Sequence, residues 1–414
     1  MSKELEVSLH GASIGTLTED ARGQWLLRFS ESYRRLDDRP VLGQKFEDAL
    51  DRAYGGKRRG ELPPFFANLI PEGELRPLLE QALAVPKGDD LALLELLGRD
   101  LPGAVEVRTI SLGSPEPQAL GDDTVAPTIP GDEDEGSLRF SLAGVQLKFS
   151  VILARDKITL AAHGGWGDWL VKLDSRRFPH LCQNEYSIME WARLAGFDVP
   201  ECRLLPSSAL IGRLGEHADP DTHVLLVRRY DRFNGQKIHQ EDFAQVVNLA
   251  PVHKYDHVSY EQLARLVESI AGSDARDELI RRLVFMVASG NGDAHLKNWS
   301  LVYPDRIHAK LSPLYDQVAT VAWPALDRKF ALNFAGNKDM AKLSRDAFTR
   351  FAERGGFQAD AVLGLLDSTL EALAQAWSVA SSASEWPMPS AHAEALRDHW
   401  RRTPALKDSP LGRL

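Results

Sequence analysis

One change of hydrophobic period divides this chain. Between residues 138 and 230 the apolar residues come in short extended runs: Leu138 to Phe140, Phe149 to Ala154, Lys157 to Ala161, Trp169 to Leu173, Cys202 to Leu205 and Val224 to Tyr230. One helical stretch, Asn184 to Ala195, interrupts them and stops at Gly196. From Gln240 onward the spacing turns helical. Glu261 to Ala271, Leu279 to Ala288 and Ala361 to Leu373 carry apolar faces, and a single short hairpin is expected at Ser300 to Leu311 around Pro304-Asp305. Strands first and helices after predict an α+β body of two lobes, with a cleft where the two cores meet.

A further module precedes these lobes. The first thirty residues alternate around a turn at Gly11 and again from Trp25 to Phe29, as antiparallel strands do. Phe46 to Tyr54, Leu75 to Leu83 and Leu91 to Leu97 have helical spacing, and Gly103 to Ile110 reads as a closing strand. Residues 114–137, SPEPQALGDDTVAPTIPGDEDEGS, contain four Pro and an acidic run, the composition of a linker. The expected organisation is therefore an N-terminal α/β subdomain at 1–112, a linker at 113–137, a strand-rich lobe at 138–235 and a helical lobe at 236–414. With 414 residues, 43% of them hydrophobic, the chain can fill more than one core.

Charge and cysteine content narrow the function. A formal net charge of −10 argues against autonomous nucleic-acid binding by phosphate neutralisation; Lys57-Arg58-Arg59 and Arg401-Arg402 are short runs of the kind found on solvated faces. No run of 18 apolar residues exists, and the start MSKELEVSLHG lacks a basic-then-apolar signal pattern, so no membrane association is expected and the expected address is the cytoplasm. Cys182 and Cys202 are too few for a disulfide framework and read as buried thiols.

The chemistry concentrates in GNGDAHLKN, residues 290–298, between an apolar helix and the hairpin that begins at Trp299. It sets Asp293 and Asn298 five residues apart. In phosphoryl transfer a carboxylate orients the attacking hydroxyl, and an Asn five residues on reaches a Mg²⁺ held between phosphates. A second metal carboxylate is then needed, and Asp316 supplies it in SPLYD, 18 residues past Asn298. A lone D-x-x-x-x-N match is usually a polar turn capping a helix. Two further residues shift that balance: Lys172 in the extended segment WLVKL, where it could neutralise the α and β phosphates, and Glu185, 13 residues later at the start of the next helix, where it could pair with that lysine.

SLAGVQLK, residues 141–148, lies between extended runs and could arch over phosphates, though one Gly makes it a weak signal. LLVRRY, residues 225–230, ends a strand just before the helical lobe; it reads equally as a core strand with an exposed Arg pair or as a hinge offering backbone groups to adenine. His295 has no second His or Cys at ligand spacing, so it is expected to support the loop or contact phosphate.

These segments resemble the HipA-type toxin kinases, serine/threonine kinases of bacterial type II toxin-antitoxin modules. The resemblance covers nearly the whole chain: PFFANLIPE (64–72), GRDLPGAV (98–105), SLAGVQLK (141–148), Asn184-Glu185, RYDR (229–232), QEDF (240–243), GDAHLKNWSL (292–301) and PLYD (313–316). It implies a protein-kinase-like core that uses ATP and Mg²⁺ to phosphorylate a protein serine. It implies Asp293 as catalytic base, Asn298 and Asp316 as metal ligands and Lys172 as the phosphate lysine. Nucleotide contacts are implied for Ala143, Gly144, Val145, Gln146, Lys148, Arg228, Tyr230, His295, Leu296, Lys297 and Tyr315. Ser141 matches the family serine whose autophosphorylation expels the loop. The implied partners are a helix-turn-helix antitoxin of the HipB type, through it operator DNA, and a substrate such as glutamyl-tRNA synthetase, an aminoacyl-tRNA synthetase. Arg228 departs from the acidic residue of the best-known member, and Tyr315-Asp316-Gln317 lacks the glycine of the eukaryotic kinase triplet.

Two other readings compete. G-D-x-H-x-x-N also resembles the catalytic loop of antibiotic and choline phosphotransferases, which lack the N-terminal module and the SLAG-Q-K loop. A catalytically silent co-repressor scaffold is the third reading, and intact ATP-site groups argue against it.

Overall fold

The computed structural model describes residues 3–73, 76, 77, 80, 84–110, 148–154, 157–160, 167–175, 177–210, 219 and 221–414. The expected linker, the strand at 138–140 and most of the stretch 75–83 lie outside them.

Among the described residues the N-terminal sheet runs β4-β3-β2-β1-β5, all neighbours antiparallel, from β1 (Glu4–Leu9), β2 (Ala12–Glu19), β3 (Trp25–Phe29), β4 (Tyr54–Gly55) and β5 (Val105–Thr109). Alternation works as the sequence suggests: Leu5, Val7 and Leu9 point into one core with Leu17, Leu27 and Val107. Phe46 to Tyr54 does not form the expected helix. Only Gln44–Glu47 is helical, and Tyr54 pairs with Leu27 while its ring packs on Phe46 at 4.8 Å. Phe46, Leu50 and Tyr54 face the same core by either path, so their spacing could not distinguish the two.

The second sheet, β7-β6-β8-β10-β9, comprises β6 (Lys148–Ala154), β7 (Lys157–Leu160), β8 (Trp169–Leu173), β9 (Cys202–Pro206) and β10 (His223–Arg228). Its central strands β8 and β10 are buried on both faces. Val151, Trp169, Val171, Leu173, Val224 and Leu226 join the N-terminal core, whereas Leu225 and Val227 join the core of the helical lobe. This is why β10 reads as an unbroken apolar run. It also sends Leu170 and Lys172, the alternate residues of β8, toward the cleft.

The helical lobe contains the helices Tyr260–Ala271, Ser273–Ala288, Arg345–Gly355, Ala359–Ser382 and Ser390–Arg402. Ser259 and Gln262 form a reciprocal cap at the start of the first. The core centres on Trp191, whose ring meets Phe285, Trp377 and Trp400 at 5.2, 5.0 and 5.8 Å, contacts of about 0.5–1.5 kcal/mol each beyond burial. Two expectations need correction. Gln240 belongs to a strand, β11 (His239–Asp242), which pairs with β12 (Ser300–Tyr303); it is all polar, so no apolar period marks it. A second hairpin, Lys329–Phe334 with Asn337–Asp339, adds to the one expected near Ser300. Cys182 and Cys202 are buried thiols that form no disulfide among the described residues.

Candidate active site

Lys172 is set by two neighbouring elements. Just after β8, Asp174 turns back to accept hydrogen bonds from the backbone of His180, Leu181 and Cys182, at 3.1, 2.7 and 3.3 Å, and so caps the helix Leu181–Leu194. The helix thereby starts beside the strand it follows, and its Glu185, fully buried, ion-pairs with Lys172. The Lys172 ammonium also donates to Asp316 Oδ1 at 2.6 Å. Burial works against the lysine's charge, but Asp316 and Glu185 outweigh it and hold the group well above the ordinary lysine range. Lys172 is thus a fixed cation on the cleft wall.

The segment 290–298 follows the helix Ser273–Ala288 and is laced to the stretch after Asp316. Asn291 donates to Gln317 at 3.2 Å, and Gly292 N donates to Thr320 Oγ1 at 2.7 Å. Gly292 is required by close approach: a Cβ there would sit 2.6 Å from the Lys329 carbonyl oxygen. Asp293 receives a hydrogen bond from Tyr255 OH at 2.8 Å. Its carbonyl accepts from Asn298 Nδ2 at 2.8 Å, so the amide oxygen of Asn298 is the end left for a cation. Asp316 has a left-handed backbone (φ 57°), a conformation Asp tolerates better than most residues. Asn298 and Asp316 both line the cleft, and an amide oxygen plus a carboxylate is a hard donor pair of the kind Mg²⁺ prefers. Among the described residues no group of three or more His, Cys, Asp or Glu side chains could hold a metal.

The cleft gathers Lys172, Arg228, Tyr230, Lys297, Asn298, Tyr315 and Asp316. Tyr315 OH donates to the Lys297 carbonyl at 2.9 Å, and its ring lies 5.5 Å from that of Tyr230, whose hydroxyl donates to Gln240. The Arg228 guanidinium points elsewhere, to Glu201 and the face of Trp169. Its backbone N–H already donates to the Glu201 carbonyl at 2.8 Å, and that of Arg229 to Asp168 at 2.8 Å, so these two amides are not open to a ligand. His295 is buried and its pKa is lowered to about 3, by desolvation and then by Lys254, so it stays neutral. Leu296 is wholly buried, as befits a core residue. Ser141, Ala143, Gly144, Val145 and Gln146 lie outside the described residues; Lys148 is described only as the first residue of β6.

The N-terminal module contributes residues to which the sequence alone gave no role. Lys297 donates to the Asn68 carbonyl at 3.0 Å and ion-pairs with Glu72, which also binds Lys254 at 3.0 Å. Behind the cleft, Arg229 meets Asp100 at 2.7 Å and Asp231 at 2.9 Å, while Arg232 meets the same two acids at 3.2 and 2.8 Å. Gly103 N donates to Asp231 at 2.8 Å; its φ of 77°, with the Gln240 nitrogen 2.9 Å from where a Cβ would lie, admits only glycine comfortably. GRDLPGAV and RYDR are therefore two halves of one buried charge network. Their density of charge in otherwise apolar surroundings was the available signal.

Residues 5–108 match the model of the HipA N-terminal domain, and residues 140–377, more than half of the chain, match that of the HipA-like C-terminal domain. This chain belongs to the HipA-like kinase family. It is 37% identical over 407 residues, 95% of this chain and 96% of the relative, to a putative kinase Y4dM from Sinorhizobium fredii. It is 24% identical over 302 residues, 66% of either chain, to the serine/threonine-protein kinase toxin HipA of Shewanella oneidensis. The HipA fold itself is shared: a solved Shewanella oneidensis HipA, in a complex with HipB and operator DNA, aligns at a TM-score of 0.72 and 21% identity, covering 95% of this chain and 94% of that one. Among the described residues no helix is long and apolar enough to cross a membrane.

Proposed function

We propose that this HipA-like chain is an ATP-dependent protein serine/threonine kinase that acts in the cytoplasm as the toxin of a toxin-antitoxin pair. One observation carries the reading: a buried, charged Lys172 held between Glu185 and Asp316 on the wall of a cleft that Asn298 also lines. Lys172 neutralises the α and β phosphates of ATP, Glu185 keeps the lysine in place, and Asp293 takes the proton of the attacking hydroxyl. Asn298 and Asp316 would hold Mg²⁺, which when bound offsets phosphate charge. The substrate is a protein serine, with an aminoacyl-tRNA synthetase such as glutamyl-tRNA synthetase the first candidate, and self-modification falls on Ser141. A helix-turn-helix antitoxin of the HipB type brings the pair to operator DNA, since a chain of net charge −10 has little electrostatic affinity of its own for duplex. The small-molecule phosphotransferase reading accounts for Asp293 and Asn298 but not for an N-terminal module that holds Lys297.

The test is phosphoproteomics after brief induction of the chain, of Asp293→Asn and of Asp316→Asn. Wild type is expected to add phosphoserine to a protein target and to Ser141, and both variants to add none. Purified Asp316→Asn is expected to lose Mg²⁺-dependent ATP binding that Asp293→Asn keeps. Wild-type phosphorylation by either variant would overturn the assignment.

A further inference from the structure

The hydroxyl on Asp293 is not a substrate's. Tyr255 OH lies 2.8 Å from Asp293 Oδ1, inside the 2.6–3.2 Å reach at which a general base meets the proton it removes. Its backbone is anchored on the same loop: the Lys254 carbonyl accepts from Leu296 N at 3.1 Å, and the Tyr255 carbonyl accepts from Lys338 Nζ at 3.0 Å. The side chain is less confined. It is 38% exposed, with its ring edge-on to His295 at 5.1 Å and beneath Lys254 Nζ at 5.6 Å, so it can swing toward solvent without opening a core cavity. Asp293 does not depend on it for backbone orientation, because Asn291 Oδ1 holds its N–H at 2.9 Å while His295 N and Asn298 Nδ2 hold its carbonyl at 2.7 and 2.8 Å. Burial and the neighbouring Asp293 push the phenol above its ordinary range, which keeps it a donor and not a nucleophilic phenolate.

We propose that Tyr255 is a built-in stand-in for the acceptor hydroxyl: a positioning residue that occupies Asp293 until a protein serine displaces it. This rests on the kinase reading of the site. The incoming serine takes the phenol's place, gives its proton to Asp293 and forms a bond from its oxygen to the γ-phosphorus, while the bond from that phosphorus to the β–γ bridging oxygen breaks and ADP leaves. Tyr255 thus competes with water for Asp293 Oδ1 in the absence of substrate and slows transfer to water.

The test uses the full chain with Mg-ATP and no added protein acceptor, reading release of inorganic phosphate, which transfer to Ser141 does not produce. Asp293 already faces solvent, and Tyr255→Phe keeps the ring while removing the hydroxyl, so a water no longer has to displace the phenol from Oδ1. Because a hydrogen bond to a charged group must otherwise be broken, hydrolytic kcat is expected to rise about tenfold with KM for ATP unchanged. Tyr255→Met is run beside it in case one variant folds poorly. An unchanged or lower kcat in the folded variants, or an effect confined to KM, would overturn the stand-in role while leaving the kinase reading intact. A wild-type chain that neither binds nor hydrolyses ATP would overturn both.

Discussion

Glu241 sits where the N-terminal module meets the helical lobe, and replacing it with Gln tests how tightly that junction is built. The carboxyl is 1% exposed; its Oε1 accepts from Gln44 N at 2.9 Å and Tyr303 OH at 2.5 Å, and its Oε2 makes no hydrogen bond among the described residues. Burial, followed at a distance by Asp242 and Glu47, raises its pKa from 4.5 to about 8 against the weaker pull of its two donors. The folded chain therefore keeps a proton that the unfolded chain loses, and stability falls as pH rises from about 4.5 through about 8. Linkage puts the loss from this one group at roughly 2–3 kcal/mol between about pH 6 and pH 9. Glu241→Gln keeps an acceptor for both donors and cannot ionise, so it is expected to match wild type near pH 6 and exceed it by that amount near pH 9. Urea unfolding followed by tryptophan fluorescence at the two pH values measures the difference. Parallel losses in both proteins would mean that the junction is wet enough to solvate the carboxylate, refuting the argument.

Lys172→Ala is expected to raise the ATP concentration needed for half-saturation by roughly 10- to 150-fold, because each charge-assisted bond to phosphate is worth about 1.5–3 kcal/mol. Lys172→Arg should rescue only part, since the space between Glu185 and Asp316 fits an ammonium; full rescue, or wild-type binding by the alanine variant, would assign the phosphate cation elsewhere. Asp231→Asn removes one of two acids that balance Arg229 and Arg232 and is expected to cost about 3–5 kcal/mol in urea unfolding, with a change under about 1 kcal/mol contradicting the buried network.

Spacing along the chain is legible where one element fixes it. The run Trp169 to Leu173 is a strand with the expected bounds, and the proximity of Lys172 to Glu185 follows from a strand feeding directly into a helix. Asp293 and Asn298 are joined through the bond from Asn298 to the Asp293 carbonyl, a contact their five-residue interval can make locally. Contacts between distant segments left no period to read. Asp100 and Arg229 are 129 residues apart, Glu72 and Lys297 are 225 apart, and Tyr255 reaches Asp293 from a loop with no regular spacing. The outward turn of Arg228 was equally hidden, because only the packed strands β8 and β9 reveal that Trp169 and Glu201 await its side chain. The all-polar strand His239–Asp242 carries no extended signal of its own, since its pairing with Ser300–Tyr303, and not its composition, makes it extended.

The buried network of Asp100, Arg229, Asp231 and Arg232 has a consequence for the order in which a ribosome delivers this chain. The N-terminal sheet has all its strands once Val105–Thr109 emerges, but it shares its core with Val151, Val171, Val224 and Leu226 of the second sheet, and Asp100 and Gly103 wait about 130 residues for their partners. At roughly 5–20 residues per second that is a delay on the order of ten seconds. During it the docking face of the module keeps its carboxylate in water, and the cleft does not yet exist. Residues 293–316 arrive later still, onto a scaffold already locked together. A chain cut short before Arg229 leaves Asp100 without its two arginines, and one cut short before Asp316 leaves Lys172 with only one of the two carboxylates that hold it.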